Sequence, residues 1–133
     1  LPIDDISFES LEFAQYLDLH DNAEVTGPFR LGWVLSYPSP QYAMEPIHTT
    51  GQSSNYAHYS NEEFDSLITQ ANGTPDPAEA DSLYQQAEDI LLEDMPIIPI
   101  MYGLTHTVHT DRVDNIEVDP RTFVRLENIQ VND

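Results

Sequence analysis

The stretch from Ser60 to Met95, SNEEFDSLITQANGTPDPAEADSLYQQAEDILLEDM, predicts two consecutive helices joined by a short turn. Ser60 and Glu63 have the spacing of a capping box at the start of the first helix, and Asn72 with Gly73 is typical of its end. One face of this helix carries apolar side chains at the i, i+3, i+4 and i+7 positions, namely Phe64, Leu67, Ile68 and Ala71. That face is therefore predicted to be buried.

The second helix is predicted to begin after Asp76, which can cap it, with Pro77 at the first helical position and Glu79 in the first turn. Its predicted buried stripe consists of Ala80, Leu83, Tyr84, Ala87 and Leu91. Two adjacent helices that each bury one face need a common surface to pack against. They therefore form the frame of the predicted fold.

Upstream of these helices, the pattern predicts a helix, a strand and a short helix. The segment Ser7–Asn22 has a serine cap and apolar residues at helical spacing. The segment Phe29–Ser36, FRLGWVLS, has too few polar residues for an exposed strand, so we expect a strand buried on much of both faces and central in a sheet. Ser39 and Pro40 then predict the cap and first position of a helix that ends before Pro46.

Downstream of the helices, the sequence predicts several short strands. PIIPIMYG, Pro96–Gly103, has two prolines and is typical of an edge strand, and LTHTVHT, Leu104–Thr110, alternates polar and apolar residues. The last candidates are Asn115–Val118 and Thr122–Val131. This order of elements predicts an α/β fold, with a mixed sheet and helices packed on it.

Composition limits the partners of this 133-residue chain, which has the length of one ordinary domain. There are 24 Asp and Glu residues against four Arg and no Lys, so the formal net charge is −20. Such a charge repels phosphate backbones and anionic membrane surfaces, which excludes nucleic acid as a partner. We interpret the acidity as a solvated surface. The absence of cysteine excludes disulfides, thiolate metal sites and cysteine nucleophiles.

No set of residues has the spacing of a catalytic or metal site. His106 and His109 would lie on opposite faces of the predicted strand, which does not suit a shared metal ion. The carboxylates from Asp111 to Asp119 lack the glycine and the spacing of a calcium loop. We therefore expect no enzymatic activity, no cofactor and no metal.

The segment RLGWVLSYPSP, Arg30–Pro40, contains the only tryptophan and one of the four arginines. The large apolar area and the single N–H of Trp33 suit the core or the half-buried wall of a binding site equally well. Arg30 could form an ion pair within the protein, or hold the carboxylate of a ligand in a bidentate pair. This segment is therefore the candidate binding region.

Three segments in this order, RLGWVLSYPSP, NYAHYSNEEFDSLI and LYQQAEDILLEDMPIIPIMY, resemble the C-terminal part of the substrate-binding proteins of peptide ABC importers, solute-binding protein family 5. The matching features include Gly32-Trp33 before a turn at Tyr37 and the Asn-x-x-x-Tyr loop that starts at Asn55. A third is the Pro-x-x-Pro-x-x-Tyr segment that starts at Pro96. The resemblance covers nearly the whole chain and is weakest at its two ends.

Members of this family are several times longer than this chain and close two lobes over a ligand. The resemblance therefore implies the C-terminal portion of one lobe of a type II periplasmic-binding-protein-like fold, with residues 1–120 as part of the ligand-binding lobe. The tail, Arg121–Asp133, would be a strand that returns to the other, absent lobe. A strand without its neighbour tends to fray or to pair with another copy, so we expect this tail either to be mobile or to make contacts between chains, as in a homodimer of the fragment.

The resemblance also implies a set of ligand-binding residues: Arg30, Gly32, Trp33, Ser36 and Tyr37. In the oligopeptide binders, the matching strand hydrogen-bonds the ligand backbone and its tryptophan forms the wall of a side-chain pocket. The arginine two residues before Gly-Trp helps to receive the C-terminal carboxylate of the ligand. Ser36 departs from this pattern, because those binders have an aspartate there for the α-ammonium group of the ligand.

Together these features imply a non-enzymatic, extracytoplasmic receptor that binds peptides for uptake and works with the membrane permease subunits of an ABC importer. An N-terminal part that this chain lacks would anchor it to the membrane. Two alternatives stay open. Ser36, Trp33, Tyr37 and Tyr42 would also suit a receptor for a non-peptide solute such as an oligosaccharide, and a secreted interaction domain without a small ligand is the third interpretation.

Overall fold

The computed structural model describes residues 7–104, 106–119 and 121–132, which combine helices with one small antiparallel sheet, an α/β composition. The elements are α1 (Phe13–Asp21), α2 (Pro40–His48), α3 (Glu62–Gly73), α4 (Pro77–Asp94), β1 (Val113–Asp114) and β2 (Gln130–Val131). The chain divides into two compact units between Leu31 and Gly32. Within the described ranges, no helix is both long enough and apolar enough to cross a membrane.

The hydrophobic core of the second unit lies between α3 and α4, and the two helices predicted from periodicity are confirmed. The buried core side chains are Phe64, Ile68, Ala71, Tyr84 and Ala87. Partly buried residues pack around them, and these include Leu67, Ala80, Leu83 and Leu91 of the predicted stripes and Met44 of α2. Burial of one large apolar side chain contributes roughly 1.5–3 kcal/mol. This cluster therefore holds α2, α3 and α4 together.

Both core helices begin with a side chain that accepts hydrogen bonds from free backbone amides. Asp76 caps α4 as predicted, since its Oδ1 accepts from two amides of the first turn at 2.9 and 3.3 Å. The predicted cap of α3 is wrong by one residue, because Asn61 and not Ser60 accepts from the first-turn amides, at 3.0 and 3.1 Å. The hydroxyl of Ser60 instead accepts a hydrogen bond from Thr50 Oγ1 at 3.0 Å.

The first helix is shorter than predicted, because α1 starts at Phe13 rather than near Ser7. Its N-cap, Glu12, makes no side-chain capping bond, so the predicted serine cap is wrong. Residues 7–10 and 12 are exposed, and short helical segments without tertiary packing are marginal in water. The C-terminal end of α1 packs against Phe29, since the ring of His20 lies edge-on to Phe29 with centroids 4.2 Å apart.

The second helix is longer than predicted. It starts at Pro40, with Ser39 as N-cap, but it continues through Pro46 to His48. A proline inside a helix removes one backbone donor, and its ring crowds the carbonyl four residues earlier. In α2 that carbonyl belongs to Tyr42, so the Tyr42 oxygen is the one that lacks its helical hydrogen-bond donor.

A buried asparagine organises the loop between α2 and α3. Asn55 is 5 % exposed, and its Nδ2 donates to the carbonyls of Thr49 (3.1 Å) and Tyr59 (2.8 Å). Its Oδ1 accepts from the amide of Tyr59 at 3.1 Å, which explains the Asn-x-x-x-Tyr spacing in the sequence. The hydroxyl of Tyr59 in turn donates to Asp94 at 2.6 Å. This bond and a second from Asn61 hold the pKa of Asp94 below its usual value.

The described residues contain no ladder that includes the predicted strands Phe29–Ser36, Pro96–Gly103 and Leu104–Thr110, so these predictions are wrong for this chain. Large apolar side chains of the two later segments stay exposed: Ile98, Ile100, Met101, Tyr102, Leu104 and Val108. A strand is stable only beside neighbours that complete its backbone hydrogen bonds and cover its apolar face. Residue 105, in the last of these segments, lies outside the described ranges.

The C-terminal region of the second unit forms the sheet. β1 and β2 are antiparallel, with Val113 opposite Val131. The predicted strand Asn115–Val118 is therefore displaced toward the N-terminus. The reason is local, because Asn115 has φ 59°, in the left-handed region that a strand does not contain.

The predicted strand Thr122–Val131 is interrupted as well. Thr122 has φ 71°, an isolated bridge follows at Val124, and a 3₁₀ turn covers Leu126–Asn128 before β2 begins. The tail thus pairs with residues of its own unit over short stretches. The expected return of Arg121–Asp133 to a second lobe stays a prediction, and residues 120 and 133 lie outside the described ranges.

Candidate functional site

Trp33, Tyr37 and Tyr42 form an aromatic cluster that joins the candidate binding segment to α2. The ring centroids of Trp33 and Tyr42 are 5.4 Å apart with 31° between the planes, and those of Tyr37 and Tyr42 are 4.7 Å apart at 47°. Both separations lie within the range of favourable aromatic contacts. Trp33 keeps 37 % and Tyr37 43 % of its surface exposed. The aromatic cluster therefore presents ring surface to solvent.

The indole of Trp33 is tied to α2 by a hydrogen bond. Its Nε1 donates to the backbone carbonyl of Tyr42 at 2.9 Å. In a regular helix this oxygen would accept from the amide four residues later, but that residue is Pro46, which has no N–H. The indole therefore supplies a donor that the helix itself lacks.

Ser36 also reaches Tyr42, since its Oγ donates to the phenol oxygen of Tyr42 at 3.1 Å. Ser36 is exposed and carries no charge. It cannot bind an ammonium group by charge pairing, as an aspartate at this position would. Its hydroxyl does keep two lone pairs that can accept hydrogen bonds.

Tyr37 starts a chain of hydrogen bonds that leads to the core. Its hydroxyl donates to Gln41 Oε1 at 3.0 Å, and Gln41 Nε2 donates to Glu45 Oε2 at 2.8 Å. The same carboxylate oxygen accepts from Asn72 Nδ2 at 2.9 Å, and the hydroxyl of Tyr84 donates to Asn72 Oδ1 at 2.6 Å. Burial, and then the charge of Glu45, raises the pKa of Tyr84. Tyr37 is thus connected through α2 and the end of α3 to the buried face of α4.

The backbone around Gly32 is open. A Cβ placed on Gly32 would meet no heavy atom within 4 Å, and residues 32–35 are exposed. In the described part of the second unit, no backbone hydrogen bond involves these four residues. The segment therefore carries free amides and carbonyls next to the aromatic cluster, which is the arrangement that main-chain recognition of an extended ligand uses.

Arg30 lies in the first unit. Its backbone carbonyl accepts a hydrogen bond from the hydroxyl of Tyr16 at 3.0 Å, which ties the segment to α1. Arg30 is exposed, and among the described residues of this unit its guanidinium has no hydrogen-bond or ion-pair partner. Its five donors are thus available within that unit for a carboxylate.

The structure brings three of the five predicted site residues together. The other two, Gly32 and Arg30, lie outside this group of contacts. Trp33, Ser36 and Tyr37 all contact Tyr42. Gly32 adjoins them in sequence, whereas Arg30 belongs to the other compact unit. The candidate site of the second unit therefore consists of an aromatic cluster and an open backbone segment.

The sequence did not predict that Trp33, Ser36 and Tyr37 all contact Tyr42. It also did not predict that Pro46 leaves the carbonyl of Tyr42 without its helical donor. The signal was present, because a proline inside a helix always leaves the carbonyl four residues earlier without its donor. What the sequence did not indicate is that Trp33, nine positions before Tyr42, supplies the replacement.

The chemical groups of this site are of the kinds that contact a bound ligand. The site offers ring faces, hydroxyl groups and free backbone groups, and the described residues include no group of three or more His, Asp or Glu side chains that could hold a metal ion. In the C-terminal region, His109 Nδ1 lies 3.0 Å from the carbonyl of Thr110. The local hydrogen bond of His109 fits a structural role.

Comparison with known proteins points in the same direction. No protein-family model matches the chain. The chain is similar to the glutathione-binding protein GsiB of Shigella dysenteriae serotype 1, with 31% identity over 104 residues, which is 75% of this chain and 20% of that protein. It is 30% identical to the proteins of the same name from Escherichia coli K12 and Shigella flexneri, with the same coverage. The chain thus spans about a fifth of the length of these curated relatives.

Proposed function

Because the chain is homologous to part of the family 5 substrate-binding proteins of ABC importers, we propose that it is one portion of a receptor that binds short peptides for uptake. The match of 104 residues to glutathione-binding proteins is the observation that carries this proposal. Glutathione is itself a small peptide. Such a receptor captures and releases its ligand and catalyses no reaction.

The chain belongs, in this proposal, to the C-terminal part of one lobe of a type II binding-protein fold. Its relatives are about five times as long as the matched part, so the rest of the receptor would provide the opposing lobe and the strand neighbours that 29–36 and 96–103 lack. The receptor would work outside the cytoplasm, anchored through its N-terminal part, and would deliver its ligand to membrane permease subunits.

The geometry of the candidate site supports a peptide ligand. Free amides and carbonyls at 32–35 can pair with an extended peptide backbone, as an added strand does. Trp33 provides a partly exposed ring beside that backbone for an apolar or aromatic side chain. In the pattern of the oligopeptide binders, Arg30 of the first unit would provide a guanidinium for the C-terminal carboxylate. The backbone pairing and the carboxylate contact match groups that every peptide with a free C-terminus carries, whereas the Trp33 contact selects for its side chains.

A sugar receptor is the second candidate, and the aromatic cluster is the observation that favours it. Sugar rings stack on exposed aromatic faces, and Ser36 replaces an acid with a neutral hydroxyl next to Tyr42. The two ligand classes differ in charge. A peptide needs Arg30, whereas a neutral sugar does not.

Calorimetric titration of the full-length receptor with glutathione, an unmodified tetrapeptide and a neutral tetrasaccharide tests the proposal. We expect saturable binding of at least one peptide and none of the sugar. Arg30→Ala should weaken peptide binding by about 2–5 kcal/mol, the range for loss of one partner of a desolvated charge pair. Arg125→Ala, which removes an arginine from the C-terminal tail, is the matched control and should leave the affinity unchanged.

Trp33→Ala should weaken peptide binding by roughly 1–3 kcal/mol, as loss of an aromatic anchor does, while far-ultraviolet circular dichroism shows that the variant is folded. Binding of the tetrasaccharide alone, with no effect of Arg30→Ala, would replace the peptide receptor with the sugar receptor. Binding of neither class by a folded receptor would favour an interaction domain without a small ligand.

A further inference from the structure

We propose that Pro46 is a positioning residue for Trp33: by removing the helix donor of the Tyr42 carbonyl, it reserves that oxygen for the indole N–H and so fixes the indole ring in the candidate site. The effect on ligand binding rests on the proposed function. The positioning itself does not, because it concerns only the contact between the Trp33 indole and α2.

The geometry supplies each part of this arrangement. Pro46 is an interior residue of α2, so the helix continues on both sides of the missing bond. The Tyr42 carbonyl is the one that the amide at position 46 would have bonded. Trp33 Nε1 donates to it at 2.9 Å, a normal length for an N–H···O bond. The indole nitrogen is a donor only, so this bond uses its full hydrogen-bonding capacity.

A second contact fixes the plane of the ring. Trp33 and Tyr42 lie with centroids 5.4 Å apart and only 31° between their planes. A hydrogen bond at one edge and a ring contact on one face together restrict both side-chain torsions of Trp33. The residue is nevertheless 37 % exposed. A partly exposed ring that is already restricted to one rotamer loses little further side-chain entropy when a ligand binds.

An ordinary packing role for Trp33 predicts something different. If the ring only fills space against Tyr42, loss of the indole N–H should cost the same whether or not α2 has its regular donor at position 46. If the indole replaces that donor, the cost should depend on Pro46. Pairwise coupling of this kind is what a double-mutant cycle measures.

The first experiment is therefore a cycle of Trp33→Phe and Pro46→Ala in the 133-residue chain, measured by urea unfolding. Trp33→Phe keeps an aromatic ring but removes the N–H donor. We expect it to lower the folding equilibrium constant about five-fold more in the Pro46 background than in the Pro46→Ala background, which corresponds to about 1 kcal/mol for one hydrogen bond. The change in helix propensity at position 46 cancels in the cycle. Equal costs in both backgrounds would overturn the positioning role.

The second experiment uses the fluorescence of Trp33, which is the only tryptophan of the chain. Pro46→Ala gives the Tyr42 carbonyl a backbone donor that pulls it toward the helix axis, so the indole should be released. We expect a higher acrylamide quenching constant and a lower anisotropy than in the wild type. Pro77→Ala, at the first position of α4, is the matched control and should change neither. Unchanged quenching and anisotropy in Pro46→Ala would also overturn the proposal.

Calorimetry on the full-length receptor then separates this inference from the proposed function. If both hold, Pro46→Ala releases the indole and weakens binding of the peptide that the wild-type receptor binds, while Pro77→Ala does not. If the indole is released but the affinity is unchanged, Pro46 positions Trp33 and Trp33 does not belong to the binding site. If the cycle shows no coupling, the positioning role fails whatever the ligand affinity.

Discussion

Replacement of Asn55 by alanine should destabilise the helical unit more than any other single change of a polar side chain in the α2–α3 loop. Asn55 is 5 % exposed and makes three hydrogen bonds to backbone groups of Thr49 and Tyr59, at 3.1, 2.8 and 3.1 Å. Asn55→Ala removes all three and leaves two carbonyls and one amide without these partners. No alanine side chain can replace them.

The magnitude follows from these three bonds. Each contributes roughly 0.5–1.5 kcal/mol net, and a stranded buried group adds to the loss, so we expect a decrease of about 3 kcal/mol in the free energy of unfolding. Urea unfolding followed by circular dichroism at the helix band measures it. With a slope of about 1–3 kcal/mol per molar urea, the midpoint should fall by roughly 1–3 M.

Two further variants make the result specific. Gln86→Ala is the matched control, because it truncates an exposed amide that makes one hydrogen bond within α4, and it should change stability by less than about 0.5 kcal/mol. Asn55→Asp keeps the acceptor for the Tyr59 amide but turns the donor into an oxygen that faces two carbonyls. It should be at least as destabilising as Asn55→Ala. An Asn55→Ala midpoint equal to that of Gln86→Ala would refute this account of the loop.

Two more measurements test other parts of the structure. Burial lowers the pKa of His48 from its usual 6.5, so below about pH 6.5 the unfolded chain takes up a proton that the folded chain does not. The free energy of unfolding should therefore fall as the pH drops through 6.5, and less so in His48→Phe; equal pH slopes in the two proteins would contradict this. Met95 ends α4 with φ 47°, so Met95→Gly should stabilise the chain by roughly 0.5–1 kcal/mol in urea unfolding, whereas Leu92→Gly, inside the helix, should destabilise it by about 1 kcal/mol.

The two core helices could be predicted from the sequence because the features that specify them lie within each helix and its first turn. An apolar face at helical spacing and an acidic cap are properties of neighbouring residues, and Asp76 and Pro77 start α4 as expected. The N-cap of α3 is Asn61 rather than Ser60. The sequence alone does not distinguish the two, because both residue types cap equally well. The choice between them depends on the loop, where Thr50 engages Ser60 and leaves the helix amides to Asn61.

The predicted central strands could not be judged from their own residues. FRLGWVLS and PIIPIMYG have the composition of buried strands, but a strand also needs neighbours that are set by the rest of the fold. In this chain Phe29, Leu31, Trp33 and Leu35 of the first segment keep 36–38 % of their surface exposed, and the second segment keeps 72–97 % at Ile98, Ile100, Met101 and Tyr102. The relatives are about five times longer than the matched part, and in the proposed receptor the missing part would supply the strand neighbours of these two segments.

The candidate site shows the limit of sequence rules most clearly at Pro46. Read alone, a proline in α2 indicates a helix end, and that prediction is wrong because the stranded carbonyl of Tyr42 finds a donor in Trp33. The rule treats the missing N–H as a local cost, whereas the fold uses the freed oxygen to hold a side chain from a separate segment. The sequence is compatible with Trp33 as either a core residue or the wall of a binding site, and its contacts combine the two: one edge is bonded to the helix while more than a third of its surface stays exposed. A residue held in that way has the rigidity of the core and the access of a surface, which is the combination that a binding site requires.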